Sequence, residues 1–165
     1  MEDEPLEVTI GTLLRQQGLW LAVAESCTGG LVGHRITNIP GSSEYYLGSV
    51  TAYAYEAKER LLGVSHDLLL KYGAVSPETA LAMARGIRRT LGADIGVSVT
   101  GIAGPGGGLP NKPVGLVWLG LSAPRGERAF SHVWGGSRIE NKEYSAQAAL
   151  QLVVDYLRGG IFGQD

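Results

Sequence analysis

Ser26 stands in the stretch Ala22-Val23-Ala24-Glu25-Ser26-Cys27-Thr28-Gly29-Gly30, where an apolar run gives way to small polar residues before a helical pattern starts at Leu31. Strand, tight turn and helix start, in that order, expose a hydroxyl beside backbone N–H groups. Those N–H groups, with the positive end of the helix dipole, favour an anion: a bound phosphate or the oxyanion of an acyl transfer. The same residues also suit a plain capped helix with Ser26 or Thr28 as N-cap. Cys27 is the rival nucleophile, but a lone Cys beside a strand end is more often a small packing residue.

Further chemistry-bearing residues lie later in the chain. Tyr53 and Lys58 fall where a second strand pattern passes into a helix. Arg138 follows Gly135-Gly136-Ser137 and is either a phosphate clamp or a surface residue. The loop from Gly101 to Lys112 carries Gly101, Gly104, Gly106, Gly107 and Gly108. No Gly-Lys-Ser/Thr follows it, so it is not a Walker A loop; with Lys112 it is a candidate backbone anion nest, or else a flexible hairpin connection. His34, His66 and His132 are scattered and Cys27 has no partner at ligand spacing, so no metal is expected and no triad histidine is singled out.

These residues need elements to hold them. Leu6, Ile10, Leu13 and Leu14 recur at helical spacing and Gly18 ends that helix. A strand follows from Leu19 to Ala24, then a helix to about Thr37 and a turn cluster at Asn38–Ser43. Tyr45–Tyr53 reads as a strand, and Glu56–Leu62 and His66–Tyr72 as short helices. Ser76 as N-cap and Pro77 at the first position open a helix with the apolar face Ala80, Met83, Ala84, Ile87 and Leu91. Ile95–Thr100 reads as a buried strand. Val114–Leu121 and Arg128–Trp134 read as a hairpin about a Pro124-Arg125-Gly126 turn, and Ile139–Leu157 as the last helix. Strands alternating with helices predict an α/β fold of three layers, with helices on both faces of a mixed sheet. Ligands in such sheets bind at the carboxyl ends of strands, so the loops after Ala24 and Thr100 should share one cleft.

Composition narrows the partners. The chain has 165 residues, 44% of them apolar, with a net charge of −2 and mean hydropathy near zero, which fits a single domain over residues 1–165. No basic face for nucleic acid is evident, so a small molecule is the expected partner. No apolar run reaches membrane-spanning length. The acidic opening Met1-Glu2-Asp3-Glu4 does not read as a signal peptide, and the single Cys27 fits a reducing compartment; a cytoplasmic protein is expected.

Several of these stretches together resemble one family. Glu25-Ser26-Cys27-Thr28-Gly29-Gly30, Pro40-Gly41-Ser42-Ser43, Tyr53 with Glu56-Ala57-Lys58, Gly73-Ala74-Val75-Ser76, and Thr100-Gly101-Ile102-Ala103-Gly104-Pro105-Gly106-Gly107 with Lys112-Pro113-Val114-Gly115 are similar to the CinA carboxy-terminal domain family of nicotinamide-nucleotide amidases, also described as competence/damage-inducible proteins. The likeness runs in order from about Leu19 to Leu157. It implies a three-layer α/β/α sandwich with a mixed, mostly parallel sheet, and hydrolysis of the carboxamide of nicotinamide mononucleotide to nicotinate mononucleotide and ammonia, without metal or organic cofactor. Some members carry an additional amino-terminal domain with ADP-ribose pyrophosphatase activity, which this chain is expected to lack.

The family's serine matches Ser26, its tyrosine Tyr53 and its lysine Lys58. The chain departs from the pattern at Tyr55, where many members have Asn, at Ser137, where an Asp often stands, and at Lys142, in place of a second Arg. On this reading Ser26 attacks the carboxamide and Lys58 is the base, directly or through Tyr53. N–H groups of Cys27, Thr28, Gly29 and Gly30 hold the oxyanion. Ser42, Ser43, Thr100, Gly101, Gly104, Gly106, Gly107 and Arg138 are the candidates for binding a pyridine nucleotide. A homo-oligomer is expected. The alternatives are a nucleotide-binding or regulatory module without catalysis and an amidase for a different small amide.

Overall fold

The structure, a computed structural model, describes residues 3–163. Of the acidic opening, Met1 and Glu2 lie outside the described residues. Helix α1 (Leu6–Gln17) ends at Gly18, whose φ of 66° suits only glycine without strain. Strand β1 (Leu21–Glu25) leads through the Ser26–Gly30 turn into α2 (Leu31–Thr37). A 3-10 turn at Ser42–Glu44 precedes β2 (Tyr46–Thr51), followed by α3 (Tyr55–Leu62) and α4 (His66–Tyr72). Helix α5 (Pro77–Leu91) is opened by Ser76, whose hydroxyl accepts from the Thr79 N–H, with Pro77 in the first turn as the sequence suggests. Then come β3 (Ile95–Gly101), β4 (Leu116–Ala123), β5 (Gly126–Val133) and α6 (Arg138–Leu157).

The five-stranded sheet has the order β2-β1-β3-β4-β5. β1 is parallel to both β2 and β3. β4 is antiparallel to β3, and β5 is antiparallel to β4 and so runs with the first three. The sheet is mixed and mostly parallel, as the resemblance implies.

Period-two alternation splits each central strand between two cores. Leu21 and Val23 of β1, with Ile95, Val97 and Val99 of β3, pack against α1, α2 and α6. Ala22 and Ala24 face the other side with Met83 and Ile87 of α5 and Leu62 of α3. The second face is made of small residues because α5 lies very close to it. A Cβ on Gly96 would sit 2.3 Å from the Ala84 carbonyl oxygen, and one on Gly120 would sit 2.3 Å from that of Ala80. The Ser98 hydroxyl, between them on the same face, donates to the Ala80 carbonyl at 2.6 Å. The last helix carries a cap the sequence reading did not identify: Ser137 and Glu140 form a capping box at its start.

Among the described residues no helix is long and apolar enough to cross a membrane.

Candidate active site

The carboxyl ends of β1, β2 and β3 lie side by side, and the loops leaving them surround a cleft of about 140 Å³. Ser26 lies one residue past β1, at the floor. Its own N–H donates to the Val99 carbonyl of β3 at 2.9 Å, which fixes the turn onto the neighbouring strand. Thr100 and Gly101 of β3, Ala74 and Val75 from the α4–α5 connection, Tyr53, Lys58 and Arg138 complete the walls.

Lys58, on α3, is fully buried, with 0% of its surface exposed. The helix starts four residues after β2 ends, so its first turn carries Lys58 back over the neighbouring strand. Its Nζ lies 2.9 Å from Ser26 Oγ, and it donates at 2.9 Å to each of the Ala52 and Tyr53 carbonyl oxygens. No carboxylate is among these partners. Burial without a countercharge disfavours the ammonium and brings the Lys58 pKa down to about 8. In the neutral amine, two N–H groups serve the two carbonyls and the lone pair is left for the serine proton. That is the protonation state and geometry of a general base acting on a serine hydroxyl.

Glu25 explains the turn. Its fully buried carboxylate accepts from the Thr28 hydroxyl at 2.7 Å and from the backbone N–H groups of Val32 at 2.8 Å and Gly33 at 3.1 Å. The anion at the start of α2 is therefore the protein's own side chain. Neither Ser26 nor Thr28 is the N-cap: Gly30, with φ 104°, holds that position without a side-chain bond. Gly29 spends its N–H on the Ser26 carbonyl at 3.1 Å. The N–H groups of Cys27, Thr28 and Gly30 make no hydrogen bond among the described residues. The signal in the sequence is an acid closing the apolar run that becomes β1, Leu21–Glu25.

Cys27 turns the other way, into the core shared with α6. Burial pushes its thiol pKa up to about 12, which keeps it protonated at neutral pH and a poor nucleophile.

Tyr53 is 62% exposed. Its carbonyl holds Lys58, while its hydroxyl accepts from Arg138 Nη2 at 3.2 Å. Lys58 touches Ser26 without an intermediary, so the phenol does not lie on the path between them. Arg138 Nη1 donates to the Gly104 carbonyl at 2.8 Å. Asn141, one turn along α6, donates to the Ala103 carbonyl and accepts from the Gly136 N–H, each at 3.0 Å. Helix α6 thus anchors the loop after β3 to the rim; sequence reading missed Asn141, which looks like an ordinary polar residue in a first turn.

Other expected binding residues lie apart from the cleft. Ser42 and Ser43 precede β2, and β2 runs parallel to β1. They stand at the opposite end of the sheet, beyond the length of a six-residue strand, roughly 20 Å. The reason is α2, which returns the chain to that end. Gly106 and Gly107 are exposed in the loop and do not line the cleft. Lys112 bonds the Tyr72 carbonyl at the end of α4, so it does not belong to a nest in its own loop. The Thr100 hydroxyl is taken by the Ala74 carbonyl at 2.7 Å. Among the described residues no group of three or more His, Cys, Asp or Glu is placed to hold a metal ion.

Comparison with known proteins agrees with this architecture. The profile described as CinA C-terminal domain matches residues 3–157. The chain is 52% identical to a putative competence-damage inducible protein of Moorella thermoacetica over 157 residues, 95% of this chain and 38% of that protein. It is 50% identical to a CinA-like protein of Salinibacter ruber, covering 90% of this chain and 36% of that one. The chain thus spans less than two-fifths of the length of these relatives. Among solved structures, competence/damage inducible protein CihA from Agrobacterium tumefaciens superposes with a TM-score of 0.84 at 37% identity, over 96% of this chain and 98% of that one. Competence damage-inducible protein A (ComA) from Klebsiella pneumoniae gives a TM-score of 0.90 at 29% identity, over 93% and 95%. With its profile match over nearly the whole length and its fold shared with these structures, the chain belongs to the CinA C-terminal domain family.

Proposed function

We propose that this domain is a serine amidase that hydrolyses the carboxamide of nicotinamide mononucleotide to nicotinate mononucleotide and ammonia. The observation that carries the reading is the buried contact of 2.9 Å between Lys58 Nζ and Ser26 Oγ, with the two remaining partners of the amine both neutral carbonyls. Ser26 Oγ attacks the carboxamide carbon as its proton passes to neutral Lys58. Of the turn residues expected to hold the oxyanion, Cys27 lines the cleft and its N–H is the candidate donor, whereas Thr28, Gly29 and Gly30 face a different hollow beside α6. The Lys58 ammonium then protonates the departing nitrogen, which leaves as ammonia. Water, deprotonated by the regenerated amine, cleaves the acyl-enzyme and restores Ser26. Each step balances without metal or cofactor.

The cleft volume of about 140 Å³ suits one ring and its amide and falls below the roughly 300 Å³ at which pockets enclose drug-sized ligands. The ribose and phosphate therefore lie at the rim. There Arg138 uses two N–H groups on Gly104 and Tyr53 and keeps further donors of its guanidinium for an anion. The test is ammonia release by the purified protein from nicotinamide mononucleotide, nicotinamide riboside and nicotinamide, each beside the Ser26→Ala variant. Release from the mononucleotide that vanishes in the variant is the expected result. No release from any of the three, with the protein folded, would refute this reading in favour of a nucleotide-binding module or an amidase for a different small amide; equal release from all three would remove the phosphate from the recognition.

A further inference from the structure

A groove of about 660 Å³ lies at the opposite end of the sheet from the Ser26 cleft, between the last turns of α5 and the β4–β5 turn. Arg85, Arg88 and Arg89 of α5 line one side, Arg125 of the turn lines the other, and Ser122 lies beside it. Glu127 is the acidic residue among the lining, and it is paired with Arg85 at 2.7 Å. Arg89 donates weakly to the Leu62 carbonyl and Arg125 to the Gly163 carbonyl; neither partner neutralises charge.

Like charges three and four residues apart on a helix repel. The carboxyl end of the α5 dipole offsets part of this for Arg88 and Arg89. It does not account for Arg125, which another element brings to the same concavity. On a chain of net charge −2, a groove with this excess of guanidinium is a local feature, not a consequence of overall basicity. From these observations we infer that the groove is a second ligand site, taking a small anion with two or more phosphate groups, such as a nucleoside di- or triphosphate. Arg85 is held by Glu127, which leaves Arg88 and Arg89 of α5 and Arg125 of the turn, on two elements, to meet the several oxygens of a polyphosphate. Arg is the side chain that meets phosphate oxygens bidentately. Ala93, Ala123 and Pro124 give the groove an apolar wall for the remainder of the ligand. A net negative surface elsewhere argues against a nucleic acid, which needs an extended basic track.

The site stands independently of the amidase reading, and titration calorimetry at low salt tests it with tripolyphosphate, ATP and orthophosphate as probes. Tripolyphosphate and ATP should bind saturably, one per chain and tighter than orthophosphate. Arg88→Gln with Arg125→Gln should weaken them at least about tenfold. Arg88→Lys with Arg125→Lys keeps the charge and serves if the first pair does not fold; loss of bidentate geometry should still weaken binding about threefold or more. Absent saturable binding, binding indifferent to both pairs, or orthophosphate binding as tightly as tripolyphosphate would overturn the inference. An oligonucleotide that binds through the same arginines more tightly than tripolyphosphate would overturn it too, in favour of nucleic acid.

Discussion

Cations stand at both ends of this sheet in opposite circumstances. At the carboxyl ends of the strands Lys58 is alone, fully buried and surrounded by neutral oxygens. At the other end Arg85, Arg88, Arg89 and Arg125 crowd one open groove. Burial makes the ammonium costly and turns the lysine toward a base. A guanidinium, unlike an ammonium, is not a side chain that burial converts into a base. A lone buried amine is thus suited to proton transfer, and a cluster of open guanidiniums to holding an anion.

The sharpest way to break this contrast is at Ser26. Ser26→Ala should lower amidase turnover by ~10³-fold or more, the scale of losing a catalytic nucleophile, with melting temperature and polyphosphate binding unchanged. Next comes Lys58. Because only the neutral amine accepts the serine proton, kcat/KM should climb with pH up to about 8, where the lysine titrates, and level off above it. Lys58→Arg keeps the charge but not the base, and should lose on the order of 10²-fold or more near neutral pH, without the ascending limb. Near-normal activity in that variant would mean that charge alone is used at this position, and the contrast between the two ends would collapse.

Smaller effects sharpen the rim. Arg138→Ala should raise KM about tenfold with a lesser change in kcat, because a phosphate clamp grips ground and transition states alike. Tyr53→Phe should follow it weakly, mainly in KM, since the phenol meets Arg138 and not the amine; a collapse of kcat would restore the phenol to the proton path. Cys27→Ala should keep turnover within a few-fold, as its thiol faces the core. Smallest of all, Arg88→Gln with Arg125→Gln should leave ammonia release unchanged; a change would couple the two ends.

The sequence carried the elements well because their signals are local. Gly18 and Ser76-Pro77 mark helix boundaries, and the apolar runs of β1 and β3 are short and unmistakable. Ser26 and Lys58 were legible as candidates, but their contact depends on β1 and β2 being parallel neighbours, which no local pattern encodes. Ser42 and Ser43 failed as cleft residues for the same reason: a motif tells what a residue is made for, and topology tells which end of the sheet receives it. The role of Glu25 is not legible in the sequence, because a carboxylate reads as solvent-facing until its donors, here Thr28, Val32 and Gly33, are known. The arginine groove joins residues from two elements far apart in the chain, and composition averages it away.

The close seat of α5 on Gly96 and Gly120 has a consequence at a distance. Ala74 and Val75, which wall the cleft, lead directly into that helix. A single methyl group at either glycine would meet backbone oxygen at 2.3 Å and lift the helix away from the sheet. The seat of α5, and with it the start of the wall that Ala74 and Val75 form beside Ser26, rests on two side chains that do not exist. Anyone seeking to widen the cleft would do better to begin there, with Gly120→Ala and a repacked helix, than by carving the residues that line it.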